Sequence, residues 1–419
     1  MNPEKERAGL LQWLSEAPAD SRRALIAASL GWMLDSFDVM LYALVLAQLI
    51  KDLGMEKGTA GLLGSLTLIA SAAGGIIFGV LADKLGRTWA LRASILIYSI
   101  FTAACGLAQS VPMLAVFRVC LGLGMGGEWA SGAALVSETW TAAHRGKALG
   151  FMQSSWAVGT AAAALVTAVV LPRWGWRAVF FIGVLPALLI FWVRKKVEEP
   201  AIWQTQKRRT ELEKEQRAKI GSIVHGRLLR ITAAVTLMNA CTMFGWWGFN
   251  LWIPGYLSLA QDQGGVGLST GLMSSLIFFM QFGMWLGYIT FGYISDSLGR
   301  KKTYIIYLLS AALFIFIYSK LTRPLPLFFL GPFVAFFATG YFSGFGALTA
   351  ELFPTRIRAT MQGFTYNTGR IVSAIAPLAV GSIAQEKGFG TAFLLASGAF
   401  VLAALMWTGI PETRGRPLE

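Results

Sequence analysis

Long apolar blocks dominate the chain, most of them near the roughly 20 residues that carry a helix across a bilayer. They fall at 24–50, 60–82, 89–109, 112–138, 145–171, 176–194, 229–257, 271–293, 302–320, 325–351, 358–385 and 390–410. Apolar and polar positions do not alternate with the period of a strand. Hydrocarbon also offers no partner for unpaired backbone groups, so the blocks are predicted to be helices. The expected fold is all-α: a polytopic membrane protein with twelve transmembrane helices. Six spans precede a polar stretch that includes Lys195, Lys207, Arg208, Glu211 and Lys214, and six follow it. This predicts an N-terminal segment at 1–23, a six-helix bundle at 24–194, a linker at 195–228, a second bundle at 229–410 and a tail at 411–419.

Composition sharpens the class. Hydrophobic residues make up 55% of the chain and charged ones only 14%, against roughly 25% charged in ordinary globular domains. The formal charge of +14 is not evenly spread. If the N-terminus is cytoplasmic and the loops alternate, 27 of the 36 Lys and Arg residues lie on the cytoplasmic side and 7 outside. Such a bias orients membrane proteins. It predicts a cell inner membrane location with both termini cytoplasmic, and it removes the reason to invoke a nucleic acid. Cys105, Cys120 and Cys241 all fall inside spans, and the chain has 2 histidines, so neither a disulfide, a metal site nor a cofactor is expected.

An internal repeat orders the twelve spans. Gly79-Val-Leu-Ala-Asp83-Lys-Leu-Gly86-Arg87 recurs as Gly292-Tyr-Ile-Ser-Asp296-Ser-Leu-Gly299-Arg300, with every matched position displaced by the same amount. The same displacement carries Glu138 onto Glu351, Arg145 onto Arg358 and Gly150-Phe151 onto Gly363-Phe364. The two six-helix bundles are therefore expected to be copies of one design.

Ionisable residues inside spans are costly, by roughly 2.5–3.5 kcal/mol each on insertion scales, and so become functional candidates. Asp35, Asp38, Arg118, Glu128 and Arg370 qualify. Asp35 lies roughly 16 Å into the first span at ~1.5 Å per residue, and Asp38 and Tyr42 follow on the same helical face. Two neighbouring carboxyls do not both ionise readily at low dielectric, so one of the pair is expected to take and release a proton. Glu128, among Gly122, Gly124, Gly126 and Gly127, is either a second proton site or a structural partner for a cation. Arg370, with Tyr366 and Asn367 one turn earlier, is the candidate substrate contact, because a guanidinium fork suits a carboxylate. Arg118 is a weaker, entry-side candidate. Gln153, Asn250, Gln281 and Tyr341 complete the candidate binding set, because an amide in hydrocarbon needs a partner. Trp156, Trp246 and Trp247 are assigned to helix or lipid packing in preference to a cavity.

The duplicated G-x-x-x-D-x-x-G-R loop resembles the signature of the major facilitator superfamily. Supporting motifs are Glu138 with Arg145-Gly146, Glu351-Leu-Phe-Pro-Thr-Arg356 and Pro411-Glu412-Thr413-Arg414-Gly415. Leu34-Asp35-Ser36-Phe37-Asp38 and Arg118-Val-Cys-Leu-Gly122-Leu-Gly124-Met-Gly126-Gly127-Glu128 are similar to the sialate and metabolite:proton symporters of that superfamily. The paired glutamines of sugar porters are missing from Met238–Tyr256. The resemblance implies that Asp83, Arg87, Glu138, Arg145, Asp296, Arg300, Glu351 and Arg358 form networks that govern which side the site faces. It implies a monomeric, proton-coupled importer of a small organic anion, such as a monocarboxylate or sialate-like acid, working by alternating access. A proton-coupled sugar or polyol transporter and a non-transporting membrane receptor are the competing readings. Enzymatic work is not expected, since no nucleophile–base pair or sizeable soluble domain is present in the sequence.

Overall fold

A computed structural model describes residues 12–185, 187–188, 197–199, 226–353 and 358–414. Most of the predicted linker lies outside the described residues. After a one-turn helix at Gln12–Ser15, the chain forms α1 (Ala19–Asp52), α2 (Lys57–Leu85), α3 (Arg87–Cys105), α4 (Val111–Thr139) and α5 (Ala142–Ile182). Beyond the linker come α6 (Arg227–Ser258), α7 (Thr270–Leu298), α8 (Arg300–Tyr318) and α9 (Pro324–Thr339). The chain closes with α10 (Phe342–Leu352), α11 (Arg358–Ser373) and α12 (Ala376–Met406). No strand occurs among the described residues.

These helices make 10 apolar runs long enough to cross a membrane among the described residues. Two of the runs contain two spans each. The helix α5 is broken at Gly175 (φ 74°) and α12 at Gly388 (φ 77°). Both breaks need a left-handed backbone that a side chain would strain, and the two glycines are related by the same displacement as the repeated loops. Past Gly175, the Trp176 indole donates to Asp52 at the end of α1 (2.9 Å), while Gly183 lies against Asp38 in its middle. The chain has therefore doubled back into the bundle. Past Gly388, Phe389 packs on Tyr256 and Gly409 lies against Ala234, so α12 doubles back along α6. The 10 runs thus supply the twelve spans read from the sequence.

The exterior is apolar, as hydrocarbon requires: Leu325 is 67% exposed and Val116 60%. The interior holds the charges. Asp35, Asp38 and Glu128 are fully buried, and Arg118 and Arg370 nearly so. The glycines of α4 allow close packing on α2; a Cβ at Gly122 would lie 2.5 Å from the Thr67 carbonyl. All three cysteines are free thiols.

Candidate functional site

Helices from both ends of the chain converge on a small cavity. From the first set, α1 contributes Trp32, and α5 contributes Gln153 and Trp156. From the second, α6 contributes Met243, Trp246 and Trp247, and α11 contributes Tyr366 and Arg370. Tyr288 of α7 and Phe342 of α10 complete the wall. Helical spacing explains the grouping: Gln153 and Trp156, Met243 with Trp246 and Trp247, and Tyr366 with Arg370 are each three or four residues apart, hence on one face.

The indoles form a continuous surface across the two helix sets. Trp32 and Trp156 approach at 4.7 Å between ring centroids, and Trp156 meets Trp247 edge-on at 6.0 Å. The assignment of Trp156, Trp246 and Trp247 to packing is corrected here: all three face the cavity. Polar groups are few. Gln153 and Tyr288 both line the cavity, and the Trp32 indole N–H is buried without a partner.

Arg370 is the cation of this wall, 5% exposed. Among the described residues no carboxylate lies within ion-pair distance of its guanidinium. Its field acts on Asp35, which stands one turn from Trp32 on the same face of α1. Both Asp35 carboxyl oxygens are buried without a hydrogen bond, and so are those of Asp38 and Glu128. Asp38 sits beside Thr102 and Gly183, within α1, α3 and α5. Glu128 presses on Gly31, where a Cβ would stand 2.4 Å from its Oε1. Three unpartnered carboxyls thus cluster around α1, and the one nearest the cavity cation is Asp35. An ionised carboxylate left unpaired in such surroundings costs several kcal/mol, a cost that protonation removes.

Several sequence candidates do not line the cavity. The Tyr42 hydroxyl donates to the Ala60 carbonyl (2.8 Å), and the Arg118 guanidinium stacks 3.9 Å over the Tyr42 ring. Arg118 is thus held by a cation–π contact inside the α1–α4 packing, with its Nε and Nη1 lacking partners. Asn250 bonds the Met40 sulfur across the interface, and Gln281 donates back to Ile277 within α7. Tyr341 is buried next to Thr242, and Asn367 approaches Gly75 of α2. Each lies in the span expected for it, but depth along a helix does not say which face turns to the cavity.

At the face opposite the chain termini the two helix sets are locked together. The Lys57 ammonium donates to the carbonyls of Gln263 (2.6 Å) and Ala384 (3.5 Å), and it lies 5.3 Å from the Phe389 ring centroid. The Gln385 amide oxygen accepts from the Lys57 backbone N–H, and Ser65 accepts from that of Leu378. Gly61 has no room for a side chain, since a Cβ would lie 2.3 Å from the Pro377 carbonyl oxygen. This face is closed.

At the termini face the repeat becomes a duplicated network. Arg87 pairs with Glu138 at 2.8 Å, and Arg300 with Glu351 at 3.1 Å. Gly86 and Gly299, with φ of 122° and 99°, make the turn that sets each arginine. Arg300 also pairs with Asp296 (2.6 Å). Two further acids complete the network. Glu412 accepts from the backbone N–H groups of Arg300 and Lys301, and Glu199 accepts from those of Arg87 and Thr88, so each caps the helix that begins there. The sequence reading missed Glu199, although the displacement that relates the two loops also carries it onto Glu412. Partial burial raises the Glu412 carboxyl, but four backbone N–H groups outweigh it and hold the group below the ordinary glutamate range. Arg145 is exposed and pairs with no described side chain; the side chains of Asp83 and Arg358 lie outside the described residues.

Twelve spans around a central cavity, with paired networks at one face, define a multi-pass membrane transporter fold. The chain belongs to the Major Facilitator Superfamily, whose family model matches residues 28–290 and 235–418. It is a transporter with a small-molecule substrate and not an enzyme. It is 33% identical to a probable 4-methylmuconolactone transporter of Cupriavidus pinatubonensis, over 98% of this chain and 95% of the relative. It is 31% identical to the sialic acid transporter NanX of Escherichia coli, over 95% of this chain and 96% of the relative. The fold is similar to a partially occluded, inward-open structure of the xylose transporter XylE from E. coli, with a TM-score of 0.77, 20% identity, and coverage of 96% and 100%.

Proposed function

We propose that the protein is a proton-coupled symporter that imports a small organic anion by alternating access. The observation that carries this reading is Arg370: a buried guanidinium in an aromatic cavity, without a described carboxylate to neutralise it. A substrate carboxylate supplies the missing anion in fork geometry. Asp35, acted on by the same cation, carries the proton; Asp38 and Glu128 are the alternative carriers within the buried cluster. With the substrate on Arg370 and a proton on Asp35, neither group presents an uncompensated charge and the loaded protein can change conformation. Relatives named for sialic acid and for 4-methylmuconolactone support an organic acid as cargo.

The charge bias of 27 to 7 Lys and Arg supports an inner-membrane protein with its termini in the cytoplasm. In that orientation the closed face is external and the duplicated networks are cytoplasmic. The bundles at 24–194 and 229–410 rock against one another about the cavity, joined by the linker at 195–228. The Arg87–Glu138 and Arg300–Glu351 pairs, with Asp83, Asp296, Arg145 and Arg358, govern the outward–inward balance. A monomer holds one complete cavity and is the transport unit. The test is uptake of a radiolabelled acid into proteoliposomes under an inward proton gradient. Gradient-driven accumulation above protein-free vesicles, abolished by a protonophore, is expected; accumulation indifferent to the gradient contradicts coupling.

A further inference from the structure

Arg370 reaches the cavity from a short, interrupted helix. The helix α11 ends at Ser373, one turn beyond the arginine, and helical structure resumes at Ala376 as α12. Pro377 has no N–H to give the Ser373 carbonyl, so the ladder of helical bonds is broken there. Beyond the break the chain is fastened elsewhere: the Trp252 indole donates to the Pro377 carbonyl (2.9 Å), and the Leu378 N–H donates to Ser65. The turn that carries the guanidinium therefore needs a hold of its own.

We infer that Asn239 of α6, which is not part of the cavity wall, positions Arg370 for the substrate carboxylate. The inference rests on the carboxylate reading of Arg370 and adds what fixes the direction of its fork. Asn239 is 2% exposed, and its Nδ2 donates to the carbonyls of Thr365 (3.2 Å) and Tyr366 (3.4 Å). In the helix those carbonyls accept from the N–H groups of Gly369 and Arg370, four residues on. Each has a second lone pair for the amide. The two helices approach closely at this level: a Cβ at Gly369 would stand 2.5 Å from Asn239 Nδ2 and 3.1 Å from the Ala240 nitrogen. The same Nδ2 lies 3.8 Å from the sulfur of Met243, a cavity residue one turn further along α6.

One buried amide thus keys the rotation of α11 about its own axis, and with it the directions of Tyr366 and Arg370. At the rim of a helix, roughly 6 Å from the axis, a rotation of about 10° moves a group by about 1 Å. A misplacement of that size spoils a two-point contact with a carboxylate, in which both N–H···O bonds must be short and straight. Loss of the amide leaves the charge in the cavity and takes away its aim.

The experiment is equilibrium binding of radiolabelled benzoate to the purified full-length protein in detergent, with benzamide as the uncharged competitor. Asn239→Leu keeps the size of the side chain and removes the donor. It is expected to weaken benzoate about tenfold and to leave the affinity for benzamide within about twofold. In an Arg370→Ala background the same replacement should weaken benzoate no further, since no fork remains to be positioned. Gly369→Ala drives a methyl group against the Asn239 amide; it should reproduce the selective loss, and it serves the same comparison if Asn239→Leu does not fold. Equal losses for benzoate and benzamide, losses that multiply with that of Arg370→Ala, or unchanged benzoate affinity overturn the inference. The carboxylate reading survives any of these as long as Arg370→Ala alone weakens benzoate. Parent-level benzoate affinity in Arg370→Ala, or no saturable benzoate binding in the parent protein, overturns both.

Discussion

Arg370 on α11 lines the cavity with no described carboxylate at ion-pair distance, while Asp35 on α1, one helical turn from the cavity residue Trp32, is buried with both carboxyl oxygens unpartnered. The absence of an ion pair between them leaves the guanidinium free for a substrate and the carboxyl free for a proton.

Removing the cation should remove the anion. Arg370→Ala is expected to weaken binding of a carboxylate substrate by about 100-fold, the equivalent of two charge-assisted hydrogen bonds at roughly 1.5 kcal/mol each. Arg370→Lys should recover part of the loss, because an ammonium keeps the charge but not the fork. Equilibrium binding at matched expression measures both. Unchanged affinity in Arg370→Ala would remove Arg370 from the site.

The closed face supplies a second test. Lys57 gives its ammonium to carbonyls of the other helix set, so Lys57→Met deletes the contact and keeps the aliphatic stem. The variant should spend more time open at that face. In a background lacking the native thiols, a cysteine replacing Ser65 should react several-fold faster with a membrane-impermeant maleimide when Lys57 is also replaced. Equal rates would show that Lys57 does not hold the face shut.

Glu412 predicts a pH effect at the termini face. Its carboxyl is held below the ordinary glutamate range, so the folded state favours the ionised form. The sign follows from linkage: the contribution is present above the unfolded value of roughly 4.3 and fades as pH falls through the lower folded value. Glu412 is largely exposed, so the contribution is modest, about 1 kcal/mol or less. Glu412→Gln should lower the unfolding temperature at pH 7, with the difference from the parent protein shrinking as pH falls below the ordinary glutamate range. A difference that does not shrink on acidification would show that the carboxylate charge is not its source.

Much of the fold was legible because its causes are local. Apolar run lengths specified the spans, and the constant displacement between the repeats specified the duplicated loops; the resemblance placed Arg87, Glu138, Arg300 and Glu351 in shared networks, which the structure resolves into the Arg87–Glu138 and Arg300–Glu351 pairs. Glu199 was within reach of the same arithmetic and needed only its comparison with Glu412. Arg370 and Gln153 were found because a charge or an amide in hydrocarbon needs a reason to be there. Trp32, Trp156 and Trp247 were not, because an indole in a span is equally at home against lipid, a neighbouring helix or a cavity, and only tertiary packing decides. Tyr42 and Arg118 show the converse. Tyr42 was a candidate for sharing a helical face with Asp35 and Arg118 for its charge within a span, yet they stack on one another inside the α1–α4 packing and do not line the cavity. Lys57 carried no signal at all, since its partners are backbone carbonyls in the distant half of the chain.

The most direct test of the account is a paired flux measurement on Asp35→Asn in proteoliposomes, with benzoate as the probe acid. One arm follows accumulation driven by an inward proton gradient; the other follows exchange of labelled for unlabelled acid without a gradient. Asp35→Asn should abolish the first and preserve the second, because a permanently neutral side chain still allows the loaded protein to cross but carries no proton. Gradient-driven accumulation equal to that of the parent protein would contradict proton carriage by Asp35, and loss of both arms would assign Asp35 to binding or folding instead.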